Sequence, residues 1–324
     1  MKAVVYTHLK GFRLSSGHLA KIKAAANVAV VQPQSDEEFY SHLADAEILV
    51  CGNYDFRQEW LDKARKLKYL HSIAAGVEKI LPLLSKNILL ANAKGVHAIN
   101  IAEQVLGYMI MHERKLDVAY RAQLQKKWIV GELALGMPNT PGELFGKTAI
   151  IFGLGNIGKR IAAVCRCMGM KVIAVKRDAT AADNVDKVVA ASDFKAALKE
   201  ADYAISALPY TKETHHLFSK ETFSAMKSSA FFINIGRGSV VDENALTEAL
   251  KSKQIGGAAL DVFETEPLPE TSELWSMESA IITPHSAGFT TKYVDRFVDI
   301  FCENLKAYVK GERLPNLVDR EKGY

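Results

Sequence analysis

Two doubly wound parallel α/β domains, one inserted into the other, are the architecture this sequence predicts. Three observations carry the expectation. Short β-branched runs alternate with amphipathic stretches over the first hundred residues, and again from Lys147 onward. A loop with three glycines, Gly153-Leu154-Gly155-Asn156-Ile157-Gly158, opens the second series between a strand and a helix. A chain of 324 residues also exceeds what one hydrophobic core ordinarily fills.

In the first series, residues 3–6, 28–31, 48–51, 69–73 and 88–91 read as strands, with helical periodicity over 16–26, 36–44 and 59–65. Alternation of this kind gives a parallel sheet covered on both faces. A long helix follows from Asn100 to about Arg121, with Asn100 capping its free amides and Glu103 completing a capping box. Glycine and proline punctuate 131–146, which predicts a surface excursion between the domains. The second series places strands at 148–152, 171–175, 187–189, 203–207, 230–235, 257–262 and 280–283. Its helices fall at 157–168, 194–200, 221–226 and 243–251. From Gly288 one further helix runs to about Lys310, too little chain for a domain of its own, so it should return to the first unit. The domains expected are thus 1–98 with 289–324, flavodoxin-like, and an inserted Rossmann domain over 99–288.

Composition excludes several classes. Hydrophobic residues at 48% and charged residues at 24% describe an ordinary globular protein. The net charge of +4 is spread without a basic block, which argues against a nucleic-acid partner. No apolar run approaches the length of about eighteen residues that a membrane span needs, and Met1-Lys2-Ala3-Val4-Val5-Tyr6 begins like a strand, not a signal peptide. A soluble, cytoplasmic protein is expected. Cys165 and Cys167 lie in an apolar helical pattern without a ligand cluster, which reads as buried structural thiols, not a zinc site. His215-His216 should point apart on an extended segment and hold no metal, and Trp128 reads as a packing or dimer residue.

The glycine loop stands where strand turns to helix, the context in which such a loop cradles a dinucleotide. Gly153 permits the tight turn, Gly155 lets the backbone approach a pyrophosphate, and Gly158 allows close packing of helix on strand. With Asn156 and Ile157 they present the amides of a helix N-terminus to an anion. An acid at the end of the next strand would bind the ribose hydroxyls of NAD. Position 176 is Lys and 177 is Arg, cations that attract a 2′-phosphate, so NADP is the preferred cofactor and NAD a possible one. Asp178 stands against that preference if the loop brings it to the ribose.

Three later motifs supply chemistry. Arg237, in Ile233-Asn234-Ile235-Gly236-Arg237-Gly238, projects after a strand, where Gly238 frees the backbone and the fork suits a carboxylate or a carbonyl oxygen. The strand ending Asp261-Val262-Phe263-Glu264-Thr265-Glu266-Pro267 offers Asp261 to the nicotinamide amide and Glu266 to a partner. Pro284-His285-Ser286-Ala287-Gly288 then presents His285, a proton donor if Glu266 backs it.

With Leu208-Pro209-Tyr210-Thr211, these motifs make the chain resemble the D-isomer-specific 2-hydroxyacid dehydrogenase family over nearly its whole length, most strongly from Gly146 to Gly288. The resemblance implies that Arg237 binds and polarises a 2-keto acid, Glu266 orients His285, and His285 shuttles the proton. It implies a backbone-amide loop for the substrate carboxylate at Ala75, Gly76 and Val77, and a homodimer formed through the nucleotide domain. Leu208, Pro209, Thr214, Ile235, Gly236 and Gly288, in or beside the motifs, are taken as further cofactor-binding positions. Relatives with Asp at position 176 use NAD; Lys176 matches the NADP-using glyoxylate and hydroxypyruvate reductases.

The expected reaction is hydride transfer between NAD(P)H and a small 2-keto acid to give the D-2-hydroxy acid. Rival readings are a 3-phosphoglycerate, phosphonate or formate dehydrogenase of the same superfamily, and a dinucleotide-sensing, corepressor-like binding protein. Glu266 argues against the formate enzymes, which carry glutamine there, and the stop at Tyr324 against a regulatory extension. Loops near Tyr54, Ala75 and Tyr293 should set which keto acid fits.

Overall fold

The computed structural model describes residues 1–177 and 180–321. It divides into two compact units, Met1–His97 with Thr290–Tyr324, and Ala98–Phe289. The first contains β1 (Lys2–Val5), α1 (Ser16–Ala25), β2 (Ala29–Val31), α2 (Asp36–Leu43), β3 (Ile48–Cys51), α3 (Gln58–Lys63), β4 (Tyr69–Ser72), β5 (Leu89–Ala91) and the C-terminal helix Tyr293–Lys310. Its five strands run parallel in the order β2-β1-β3-β4-β5. Alternate residues of β1, β3 and β4 feed different cores, because successive side chains leave a strand on opposite faces. Ala3, Val5, Ile48, Val50 and Tyr69 pack with Phe297, Phe301 and Leu305 of the C-terminal helix. Val4, Leu49 and Leu70 pack with Phe39, Leu43 and Trp60. The apolar stripe at 297, 301 and 305, one residue per turn, is what returns the end of the chain to this unit.

The second unit begins with α4 (Ala98–Glu113) and α5 (Leu116–Leu124). Next come β6 (Thr148–Phe152), α6 (Asn156–Cys167), β7 (Lys171–Lys176), β8 (Lys187–Ala190), α7 (Phe194–Leu198), β9 (Tyr203–Ser206), α8 (Lys220–Ser224), β10 (Phe231–Asn234), α9 (Glu243–Lys251), β11 (Gly257–Leu260) and β12 (Ala280–Ile282). Seven parallel strands stand in the order β12-β11-β10-β9-β6-β7-β8. The chain runs outward from β6 in one direction and resumes at β9 in the other. That reversal opens a crevice at the strands' carboxyl ends, the ligand edge of such sheets.

Three local expectations are corrected. The helix expected over 100–121 begins at Ala98 and breaks after Glu113, where Lys115 takes a left-handed φ of 53° and α5 starts afresh. The Glu113 carbonyl accepts the Gly142 amide at 2.9 Å, and its buried carboxylate holds Tyr203 Oη at 2.6 Å and Lys147 Nζ at 3.0 Å. Those tertiary bonds fix the end of α4. Asn100 therefore lies inside the first turn and not at the N-cap; its Nδ2 donates to the Ala287 carbonyl at 2.7 Å. Cys165 is buried but Cys167 is exposed, since two residues along a helix turn the side chain by about 200°. The stretch before β6 also leaves Trp128 and Leu135 at 91% and 96% exposure, so neither packs within its own unit. Among the described residues no helix is long and apolar enough to cross a membrane.

Candidate active site

The loop between β6 and α6 is built by space. Gly153 adopts φ +90°, and a Cβ there would lie 3.0 Å from the Ala207 carbonyl. A Cβ on Gly158 would stand 1.9 Å from the Gly153 carbonyl oxygen, so only glycine lets α6 start against the turn. A Cβ on Gly155 would meet nothing within 4 Å: it would project into open space in front of the helix. Asn156 and Ile157 open α6, and its N-cap, Gly155, has no side chain to cap it. Free amides at the positive end of a twelve-residue helix, faced by an open approach, fit a pyrophosphate. Leu208 borders this cradle, its Cδ2 3.2 Å from the Cβ position of Gly153. The next residues are shaped by Thr214, whose Oγ1 donates to the Pro209 carbonyl at 2.8 Å and accepts the Thr211 amide at 2.7 Å. Lys176 ends β7 and donates to Thr180 Oγ1 at 2.6 Å; Arg177 follows, exposed. Asp178 lies outside the described residues.

Arg237, Asp261 and His285 follow three adjacent strands. Register pairs Asn234 with Leu260 and Leu260 with Ile282, so the three leave one edge of the sheet side by side. The fully buried Asn234 shapes the arginine turn: its Oδ1 accepts the Gly236 amide at 3.2 Å and its Nδ2 donates to the Arg237 carbonyl at 3.0 Å. Arg237 is exposed between buried neighbours, with Nη1 donating back to the Gly236 carbonyl at 2.9 Å. The glycines beside it answer a need for space, which corrects the expectation that Gly238 frees the backbone. A Cβ on Gly236 would lie 2.4 Å from the Leu208 carbonyl, and one on Gly238 1.8 Å from the Phe263 carbonyl. Ile235, 6% exposed, donates its amide to Ser206.

Glu266 joins this packing to the histidine. Its Oε1 accepts the Phe263 amide at 3.0 Å, and its Oε2 stands 2.7 Å from His285 Nδ1. His285 Nε2 has no hydrogen-bond partner among the described residues, and the side chain is 54% exposed. A ring tethered through one nitrogen to a carboxylate and open at the other is arranged to pass a proton outward. His285 holds this position at φ 51°. Asp261, 2% exposed, accepts the Ser286 and Ala287 amides at 2.9 and 3.0 Å and so holds the His285 turn, which the sequence reading had not assigned to it. Half-buried Gly288 closes that turn. No hydrogen bond or ion pair joins Arg237 to Glu266 or His285 among the described residues; the link runs through the contact of Gly238 with Phe263.

In the first unit, the loop after β4 is tied through its carbonyls. Tyr293 Oη donates to Ile73 and Asn92 Nδ2 to Ala75, the latter at 2.7 Å. The Ala74 amide donates to Ser72 Oγ at 3.1 Å, whereas the amides of Ala75, Gly76 and Val77 donate to no group among the described residues. Three successive open donors on a fixed loop suit a carboxylate. Tyr54, after β3, is 84% exposed. His215 and His216 do not point apart as expected. A φ of 48° at His216 folds the chain so that the rings stack with centroids 4.0 Å apart, and His216 Nε2 meets the Glu264 carboxylate. Among the described residues no group of three His, Cys, Asp or Glu side chains is placed to hold a metal.

Asn234 and Glu266's second partner, the Phe263 amide, escaped the sequence reading. Asn234 carries a usable signal, a polar residue ending an apolar strand before Gly-Arg-Gly; the Phe263 contact carries none.

A profile for the NAD binding domain of D-isomer specific 2-hydroxyacid dehydrogenases matches residues 106–287. Glyoxylate reductase of Thermofilum pendens is 33% identical over 317 residues, 94% of this chain and 91% of the relative. D-3-phosphoglycerate dehydrogenase of Methanocaldococcus jannaschii is 30% identical over 305 residues, 92% of this chain but only 56% of the longer relative. The crystal structure of a D-isomer specific 2-hydroxyacid dehydrogenase of Xanthobacter autotrophicus Py2, in complex with NADPH and MES, superposes with a TM-score of 0.80 at 25% identity, covering 100% of this chain and 99% of that one.

Proposed function

This chain belongs to the D-isomer specific 2-hydroxyacid dehydrogenase family, and from that membership we propose that Arg237, Glu266 and His285 reduce a small 2-keto acid to its D-2-hydroxy acid. The enzyme is an oxidoreductase that uses NAD(P). The observation that carries the residue roles is the His285–Glu266 pair, 2.7 Å apart on the same sheet edge as the glycine loop.

The dinucleotide's phosphates are assigned to the amides of Gly155, Asn156 and Ile157, with Leu208, Pro209, Thr214, Ile235, Gly236, Asp261 and Gly288 lining its path. When bound, the reduced nicotinamide supplies the hydride that the keto carbon takes up. Ala75, Gly76 and Val77 offer their open amides to the substrate carboxylate. Arg237 turns its fork from the Gly236 carbonyl to the keto oxygen and stabilises the charge growing there. His285 donates the proton that completes the hydroxyl, and Glu266 holds the ring by Nδ1 so that Nε2 delivers it. The reverse reaction returns hydride and proton along the same groups.

NADP is the preferred cofactor in this reading, because Lys176 and Arg177 stand where a carboxylate would bind the free ribose. A homodimer formed through the second unit covers Trp128 and Leu135. Oxidation of NADPH and NADH, each with glyoxylate, hydroxypyruvate, pyruvate and bulkier 2-keto acids, tests the proposal. Turnover of small keto acids with higher kcat/KM for NADPH is expected. Tight dinucleotide binding without turnover of any of them overturns it.

A further inference from the structure

A buried line of hydroxyls ties α4 to the turn that carries His285. Tyr108 is 3% exposed on α4, and its Oη lies 2.5 Å from Thr283 Oγ1. Thr283 donates its one hydroxyl proton to Asp261 Oδ1, so the tyrosine must be the donor in the first bond. Asp261 accepts the amides of Ser286 and Ala287, and Asn100 of α4 donates to the Ala287 carbonyl. Thr283, Ser286 and Ala287, on either side of His285, are thereby held, while Pro284 is exposed. His285 itself sits at φ 51°, a strained conformation for a non-glycine residue that persists only where its surroundings over-determine it.

We propose that Tyr108 and Thr283 are positioning residues: they brace Asp261, and through it hold His285 in its left-handed conformation with Nδ1 against Glu266. Neither acts on substrate. The inference rests on the proposed role of His285 and asks what keeps that ring in place.

The test compares Thr283→Val, Thr283→Ser and Tyr108→Phe, with His285→Ala alongside. Thr283→Val removes the hydroxyl and keeps the shape; it should lower kcat about ten- to a hundredfold, the range expected of a small misplacement at a reacting centre. NADPH affinity, read from fluorescence without substrate, should fall far less than kcat, because Asp261 itself is retained and the phosphates bind at the glycine loop. A crystal structure of the ligand-free Thr283→Val chain should show His285 Nδ1 beyond about 3.5 Å from Glu266. Thr283→Ser should recover most of the rate, and Tyr108→Phe should fall between. Near-normal turnover of Thr283→Val, a serine variant as poor as the valine one, or a matching loss of NADPH affinity would overturn the positioning role. An active His285→Ala enzyme would instead sink the proposed function, so the two failures are distinguishable.

Discussion

His285 spends backbone strain to reach its place, and that makes it the residue whose removal is most informative. His285→Ala should reduce turnover roughly a hundred- to ten-thousandfold, the usual contribution of a general acid, while dinucleotide binding persists. Steady-state rates and an NADPH titration decide it; a variant with near-normal turnover removes the role. Arg237→Lys should also lose most of its kcat/KM, since an ammonium cannot reproduce a planar fork. Reduction consumes a proton from the charged ring, whereas oxidation needs the neutral ring to accept one. Reduction should therefore be favoured at lower pH than oxidation, and paired pH profiles that coincide would contradict the assignment.

At the scale of elements, glycines decide how closely the loops nest. Gly158 and Gly155 sit three residues apart, yet the structure separates their tasks. Gly158→Ala places a methyl 1.9 Å from a carbonyl oxygen, so α6 must shift from β6. A penalty of about 1–3 kcal/mol follows from overpacking, which lowers Tm by several degrees. Gly155→Ala meets open space and should leave Tm nearly unchanged while weakening dinucleotide binding at least about tenfold, because the methyl occupies the anion's approach. Equal effects of the two variants on Tm would show that the cradle is not built this way.

For the whole molecule, acid is the condition to watch. Burial pushes the His71 imidazole, inside β4, from its ordinary 6.5 down to about 3, and His112 to about 4. Both are neutral when folded, and unfolding lets them take up protons. Their contribution is present above pH 6.5 and lost as pH falls below it, at up to about 1.4 kcal/mol per pH unit for each group. Urea midpoints should accordingly drop between pH 7 and pH 5. His71→Phe keeps the ring contacts with Phe297 and Phe301 but strands the Tyr69 hydroxyl, so it should lower stability at neutral pH and flatten the slope. An unchanged slope would remove His71 as its source. Trp128→Ser with Leu135→Ser should shift the proposed dimer towards monomer in sedimentation, and an unaltered sedimentation coefficient would place the interface elsewhere.

Periodicity and spacing by themselves determined the two parallel sheets and the glycine, arginine, glutamate and histidine motifs. Each is a local pattern: a strand buried on both faces is written as an apolar run, and a loop that binds phosphate needs glycine where a Cβ would intrude. Only the tertiary structure decided the rest. Asn100 does not stand at the N-cap because α4 starts two residues earlier and the Ala287 carbonyl, far along the chain, claims its side chain. α4 stops at Glu113 because Tyr203, Lys147 and Gly142 hold it there. Gly236 and Gly238 are required because a Cβ there would stand 2.4 Å and 1.8 Å from the carbonyl oxygens of Leu208 and Phe263, and the 2.7 Å between His285 and Glu266 depends on two strands and two loops folding together. Such contacts join residues remote in sequence, and no window along the chain contains both partners.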